Sequence, residues 1–113
     1  MDKLNHYRTL IKQAMTDRAN LMRSQPLPGE EVVCLLDDKT DNYLLIRLSW
    51  VRGKRLNSVT LHIRLLENCV SVEQDWTDDF ISDLIYSGVL REDIVFPVTD
   101  APEMLSSRLA ATA

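Results

Sequence analysis

The sequence predicts an α+β protein: an N-terminal helix, a four- to five-stranded antiparallel β-meander, and a C-terminal helix or helices packed on one face of the sheet. Three observations carry this. Tyr43 to Trp50 is apolar at every position but Arg47 and Ser49, holds no Gly or Pro, and is too short for a typical buried helix. A strand covered on most of its length fits such a run. Leu56 to Leu66 alternates, so Val59, Leu61, Ile63 and Leu65 are expected on one face and Ser58, Thr60, His62 and Arg64 on the other. Near the N-terminus, Leu4, Tyr7, Ile11, Ala14, Met15, Leu21 and Met22 fall close to i, i+3, i+4 spacing, with Arg18 as the one break in the stripe.

The helix starts after Asp2, a good N-cap, and runs to about Arg23. Two prolines and a glycine in Ser24 to Gly29 end it in a loop. Glu30 to Leu36 reads as the first strand, and Asp37 to Asn42 as a polar turn, because Asp and Asn bond their own backbone and tolerate left-handed conformations. Strands over Tyr43–Trp50 and Leu56–Leu66 form a hairpin through Val51 to Arg55, with Gly53 supplying a positive φ. Cys69 to Asp75 alternates again. Its Val70 and Val72 are expected on one face, with Ser71, Glu73 and Asp75 on the other. Short connections make these four strands an antiparallel meander. Thr77 caps a second helix, with Asp78 and Asp79 in its first turn, where the helix dipole favours negative charge. Phe80, Ile81, Leu84 and Ile85 form its buried stripe, and Gly88 followed by Val89 ends it. Ile94 to Phe96 is a short fifth strand ended by Pro97. Met104, Leu105 and Leu109 suggest a short docked helix, with the tail from about residue 103 to 113 frayed at its end.

One domain is expected for residues 1–113. No apolar run is long enough for a transmembrane helix and no secretory leader is read, so a cytoplasmic protein with no membrane partner is expected. Cys34 and Cys69 stand alone in apolar runs, as reduced thiols packed like small hydrophobes; a disulfide between them would require neighbouring strands. The net charge of −4 is segregated: residues 1–25 carry +3, residues 26–46 −4, residues 47–66 +5, and residues 67–113 −8. The basic block is Arg47, Arg52, Lys54, Arg55 and Arg64, a local anion-facing surface within an acidic chain.

No arrangement of chemical groups reads as catalytic, cofactor-binding or metal-binding. Asp37, Asp38 and Asp41 lack the central Gly and final Glu of a calcium loop. His6 and His62 have no Cys or His at ligand spacing. The three glycines are too scattered for a phosphate loop, and neither a nucleophile elbow nor a Cys-x-x-Cys pair occurs. His62 with Glu73 or Asp75 could make an acid–base pair across the sheet; a hydrogen-bonded surface histidine is the plainer reading. The polar side of the sheet instead offers a contact surface. Tyr43, Leu45, Arg47 and Ser49 are expected on one side of their strand, with His62 and Arg64 on the polar side of the next. Aromatic residues and arginine on an open sheet are an interface composition. The candidate interface or nucleic-acid contacts are therefore Tyr43, Arg47, Trp50, Arg52, Lys54, Arg55, His62 and Arg64, and a homo-oligomer is expected.

Beyond this reading, the chain resembles the fdxN element excision controlling factor family, the XisI-like proteins. The opening Met1 to Ile11, MDKLNHYRTLI, looks like that family's start, as does Asp41 to Ile46, DNYLLI, leading to Trp50. Arg55 and His62-Ile63 fall where the family repeats a basic residue and a histidine. Gln74-Asp75 with Thr77-Asp78 is similar to its Gln-x-Asp-x-Thr-Glu run, and Gly88-Val89 with Glu92 to Val95 to its Gly-Val-Pro-Lys-Glu-Asp-Ile-Val stretch. The departures are Glu67 to Val72 in place of a Gly-Lys-Ile-Trp-Ile strand, Asp79 to Ser82 in place of Glu-Asp-Gly-Ile-Ala, and Leu90-Arg91 in place of Pro-Lys. Phe96 to Pro102 stands in place of a Phe-His-Pro-Pro tail and has no histidine. The resemblance implies a non-enzymatic accessory factor for programmed DNA excision in cyanobacteria, a DNA recombination accessory. It would act by protein–protein contact with an XisH-type nuclease-like partner, while a separate recombinase performs the strand chemistry; nucleic acid would be engaged indirectly. Two other readings stand beside it: a direct nucleic-acid binder using the basic 47–64 hairpin, and a small hydrolase or ligand-binding domain centred on His62.

Overall fold

The computed structural model describes residues 2–25 and 27–97. Helix α1 spans Lys3–Arg23, capped by the Asp2 carboxylate, which accepts from the Asn5 amide at 2.8 Å. Strands β1 (Glu31–Asp37), β2 (Asn42–Val51), β3 (Lys54–Leu65) and β4 (Val70–Asp75) follow, then helix α2 (Phe80–Ser87), a 3-10 turn at Arg91–Asp93 and strand β5 (Ile94–Val95). The sheet order is β1-β2-β3-β4-β5. The first four strands form the expected antiparallel meander. The fifth differs: β5 runs parallel to β4, pairing Val70 with Ile94 and Ser71 with Val95. Helix α2 makes the crossover that a parallel neighbour requires. Residues 98–113, including the expected tail helix, lie outside the described residues.

The β2–β3 turn is a two-residue loop with Arg52 at φ 51 and Gly53 at φ 77. Two positive φ values in succession match the right-handed twist of the flanking strands, which is why this tight hairpin forms here.

The core lies between α1 and α2 on one side and the sheet on the other. Tyr7, Ile11, Met15 and Ala19 of α1 meet Tyr43 and Leu45 of β2, Leu61, Ile63 and Leu65 of β3, Val70 and Val72 of β4, and Phe80 and Leu84 of α2. Leu4, Ala14 and Met22 flank this core, as their spacing predicts. Leu21 does not, because Ala19 takes the inward position and turns Leu21 to the surface. Tyr43 and Leu45 are fully buried, which corrects their placement on an exposed face. Their cross-strand partners are Ile63 and Leu61, so the inner apolar rows of both strands coincide.

The alternation of β3 holds only to residue 61. Between Leu45 and Ile46 the β2–β3 register shifts, and Ile46 then pairs with Val59. The extra residue of a bulge turns the strand over. Val59 therefore leaves the inner row, while Ser58 and Thr60, expected on the outer side, line a cleft on the helix side. The second helix also starts later than predicted. Thr77 Oγ1 accepts from the Phe80 amide at 3.2 Å, and Asp78 and Asp79 precede the first helical residue. Gly88 at φ 128 ends α2, with Val89 buried behind it, as expected.

A polar junction ties the N-terminus to the last turn. The Tyr7 hydroxyl donates to Asp93 Oδ2 at 2.6 Å and accepts from the Leu90 amide at 3.0 Å, and Lys3 Nζ lies 2.7 Å from the same carboxylate. Cys34 is on β1 and Cys69 precedes β4, with two strands between. At about 4.8 Å per strand step they sit beyond disulfide reach.

Leu61→Ala should lower stability by about 2–5 kcal/mol, because its contacts in a filled core cannot be replaced; urea unfolding of both proteins measures this. Gly53→Val should also destabilise the hairpin, since a β-branched residue at φ 77 is strained whatever the space around it.

Candidate interaction surfaces

The acids of the β1–β2 turn are used structurally. Asp37 accepts from the Lys39 amide and the Thr40 hydroxyl. Asp38 meets Lys12 at 2.9 Å, and Asp41 receives Arg8 Nε at 2.8 Å. The Tyr43 hydroxyl emerges from the core to donate between Asp38 and Asp41, at 3.1 and 2.8 Å. Burial and the neighbouring carboxylates push the Tyr43 pKa well above the ordinary phenol value. Lys12 holds Asp38 below the usual carboxylate value, and the Thr40 hydroxyl does the same for Asp37. Among the described residues, no group of three or more His, Cys, Asp or Glu side chains could hold a metal ion.

His62 lies on the outer face of the sheet opposite Leu44, and its Nε2 meets Asn42 Oδ1 at 2.8 Å. It does not form the pair with Glu73 or Asp75 that the sequence allowed. Glu73 accepts from the Ser71 hydroxyl, and Asp75 accepts from the Thr77 amide and hydroxyl. Partial burial pushes the His62 pKa down, and Glu73 offsets part of that. Arg64 shares this face, opposite Asn42.

The remaining sequence candidates divide between two places. At the hairpin end, the Arg55 guanidinium stacks 5.1 Å from the centre of the Trp50 ring, bonds the Gly29 carbonyl at 3.2 Å and meets Glu31 at 3.0 Å. Arg52 and Lys54 at the tip are exposed. Arg47 is elsewhere. It lies on the helix side, its Nε 3.4 Å from Glu30 Oε1, and that buried Nε makes no hydrogen bond among the described residues. The structure thus brings together Trp50, Arg52, Lys54 and Arg55, places His62 and Arg64 toward the far end of the outer face, and removes Tyr43 and Arg47 from both groups.

Arg47 opens into a cleft of about 570 Å³ lined by Arg18, Met22, Ser58, Thr60, Trp76, Thr77, Asp78 and Asp79. A second groove, of about 480 Å³, runs between α1 and α2 past Leu10, Leu21, Asp83 and Tyr86, and shares Arg18 and Asp79 with the first. Arg18 links them: its Nη2 lies 2.7 Å from Asp79 and 2.9 Å from Asp83. Trp76 is 75% exposed and Tyr86 95% exposed beside these grooves. Sequence reasoning missed both aromatics. Tyr86 carried a signal, since a large ring off the Phe80–Leu84 stripe points away from the core.

The fold and its grooves define a small α+β protein with one layer of helices on one mixed five-stranded sheet. The chain belongs to the XisI protein family, whose model matches residues 1–105. It is similar to the fdxN element excision controlling factor XisI of Anabaena variabilis ATCC 29413, at 24% identity and a TM-score of 0.75, covering 91% of this chain and 98% of that one. It is also similar to a XisI-like protein of the same organism, at 27% identity and a TM-score of 0.77, covering 89% and 91%. No curated protein matches the chain. Among the described residues, no helix is long and apolar enough to cross a membrane.

His62 gives a pH test. Its folded pKa is depressed, so the unfolded chain takes up the proton first as pH falls. The stability it contributes is present above about pH 6.5 and declines below it. The urea midpoint should fall between pH 7.5 and pH 5.5, and His62→Gln should reduce that fall.

Proposed function

We propose that this protein is a non-enzymatic accessory factor that controls a nuclease-like, XisH-type partner by direct contact, as part of a DNA excision or related DNA-processing system in the cytoplasm. The observation that carries the reading is the pair of adjoining grooves around Arg18, flanked by the exposed rings of Trp76 and Tyr86 and by exposed Leu21. Tryptophan, tyrosine and arginine are the side chains that most often anchor protein interfaces. Here they stand on a rigid frame, since Arg18 is held by two carboxylates and the Trp76 amide donates to the Thr60 carbonyl at 2.9 Å. Membership of the XisI family, together with the excision-controlling role named for the Anabaena protein, supports the biological setting.

A second reading, direct nucleic-acid binding, is favoured by one observation: Arg52 and Lys54 project from the hairpin tip with no side-chain partner among the described residues. Two such charges beside Arg55 would give phosphate contacts and a salt-dependent affinity.

Capture of the nuclease-like partner by the tagged protein tests the first reading. Trp76→Ala and Tyr86→Ala should each weaken the complex by about 2 kcal/mol, roughly thirtyfold. Unchanged capture by the double variant would overturn it. Duplex DNA binding that steepens with falling salt and is lost in the Arg52→Ala, Lys54→Ala, Arg55→Ala triple variant would establish the second reading instead.

A further inference from the structure

We infer that the outer face of the sheet, opposite the two helices, is the seat of a second copy of this chain, docked face to face about a two-fold axis. The face is aliphatic where an open antiparallel sheet is usually polar. Beyond the inner row, the registers place Val33 and Leu35 of β1, Leu44, Ile46 and Leu48 of β2, and Val59 of β3 side by side. Both helices feed the core on the other side, so neither covers these residues. The bulge enlarges the patch by adding Val59 to it. A contiguous apolar surface of this kind marks a contact site.

The face is complementary to itself when reversed end for end. Strand β2 is ten residues, about 33 Å, long. At one end the hairpin carries Arg52 and Lys54, with Trp50 57% exposed; Arg55 does not count toward this end, because Glu31 meets it at 3.0 Å. At the other end Leu35 is 47% exposed, and the acids Asp37, Glu67 and Glu73 outnumber Lys39 and Arg64. Asp38 and Asp41 do not count toward this end, because Lys12 and Arg8 already neutralise them. A two-fold axis running across the strands between Ile46 and Leu48 lies midway between the levels of Trp50 and Leu35, so it brings each Trp50 to the level of the other copy's Leu35 and each basic tip toward the other copy's acidic end. Aligned sheet packing and an isologous two-fold contact both accept this arrangement. The opposite polarity of the two ends, and of their exposed apolar side chains, singles out a second copy over an unrelated partner. The inference does not rest on the nuclease-partner reading, whose grooves lie on the helix side.

Sedimentation or light scattering of the full chain alone, from about 1 to 100 µM, should show a dimer. Ile46→Lys should leave a monomer with an unchanged far-UV spectrum and a preserved melting transition. A charge-exchange pair checks the orientation independently of folding losses. One variant carries Arg52→Asp and Lys54→Glu, the other Glu67→Lys and Glu73→Lys. Each alone should dimerise at least about tenfold more weakly, through like charges at both contacts, and an equimolar mixture should recover the dimer. Wild-type protein that stays monomeric at 100 µM would overturn the inference and leave the face to another segment or another protein. A dimer untouched by Ile46→Lys, or a mixture that fails to recover, would overturn it as well.

Discussion

The structure depends on the docking of one helical stripe across the middle of one sheet. Ile11, Met15 and Ala19 are wholly withdrawn from water, as are Tyr43, Leu45, Leu61 and Ile63 beneath them. Burial on this scale is the dominant favourable term in a chain of this length, and it also fixes strand register. A one-residue slip of β2 would carry Tyr43 and Leu45 out of the core and put Leu44 and Ile46 in. Tyr43 resists that slip twice, through its ring and through a hydroxyl held between Asp38 and Asp41. Arg8 and Lys12 of the same helix hold those two carboxylates, so the apolar stripe and its polar margin enforce one alignment.

From that alignment the surfaces follow. The helices take one side of the sheet, which leaves the aliphatic outer row of β1, β2 and β3 on the other. The short link from β4 to α2 sets Trp76 beside Arg47, and the carboxylates ahead of and within α2 clamp Arg18. His62, Asp75 and the turn acids, which the sequence offers as candidate chemistry, are absorbed in this frame. His62 is held by Asn42, Asp75 by Thr77, and the turn acids by helix α1 or their own backbone.

The fold was legible in the sequence because its signals are local. Asp2 at the N-cap, the 3.6-residue stripe, the period-two run ending at Leu65 and the Gly88-Val89 stop each depend on neighbours within a few residues. The misplacements share a different cause. Which side of Tyr43 to Ser49 faces inward cannot be read from a strand apolar on both faces, and the choice was made by Leu61 and Ile63 opposite. The bulge at Thr60 leaves no compositional mark, so Val59 and Ser58 were assigned to the wrong sides. The parallel pairing of β5 is a tertiary outcome of the crossover. Of the candidate surface, the basic hairpin was legible as a charge block, whereas Tyr86 was missed although its place off the Phe80–Leu84 stripe was a signal. The gathering of Arg18, Arg47 and Trp76 was not, because it joins residues from three distant parts of the chain.

The two rims of the sheet are unequal. Strand β1 offers a rim of seven residues, whereas β5 offers two before Pro97, which has no amide hydrogen to donate. Growth of a ribbon by head-to-tail strand addition needs both rims to accept a neighbour along comparable lengths. Among the described residues the second rim is too brief to do so. Stacking copies into an endless fibre by that route is thereby disfavoured, and joining through β1 would end after a single pairing.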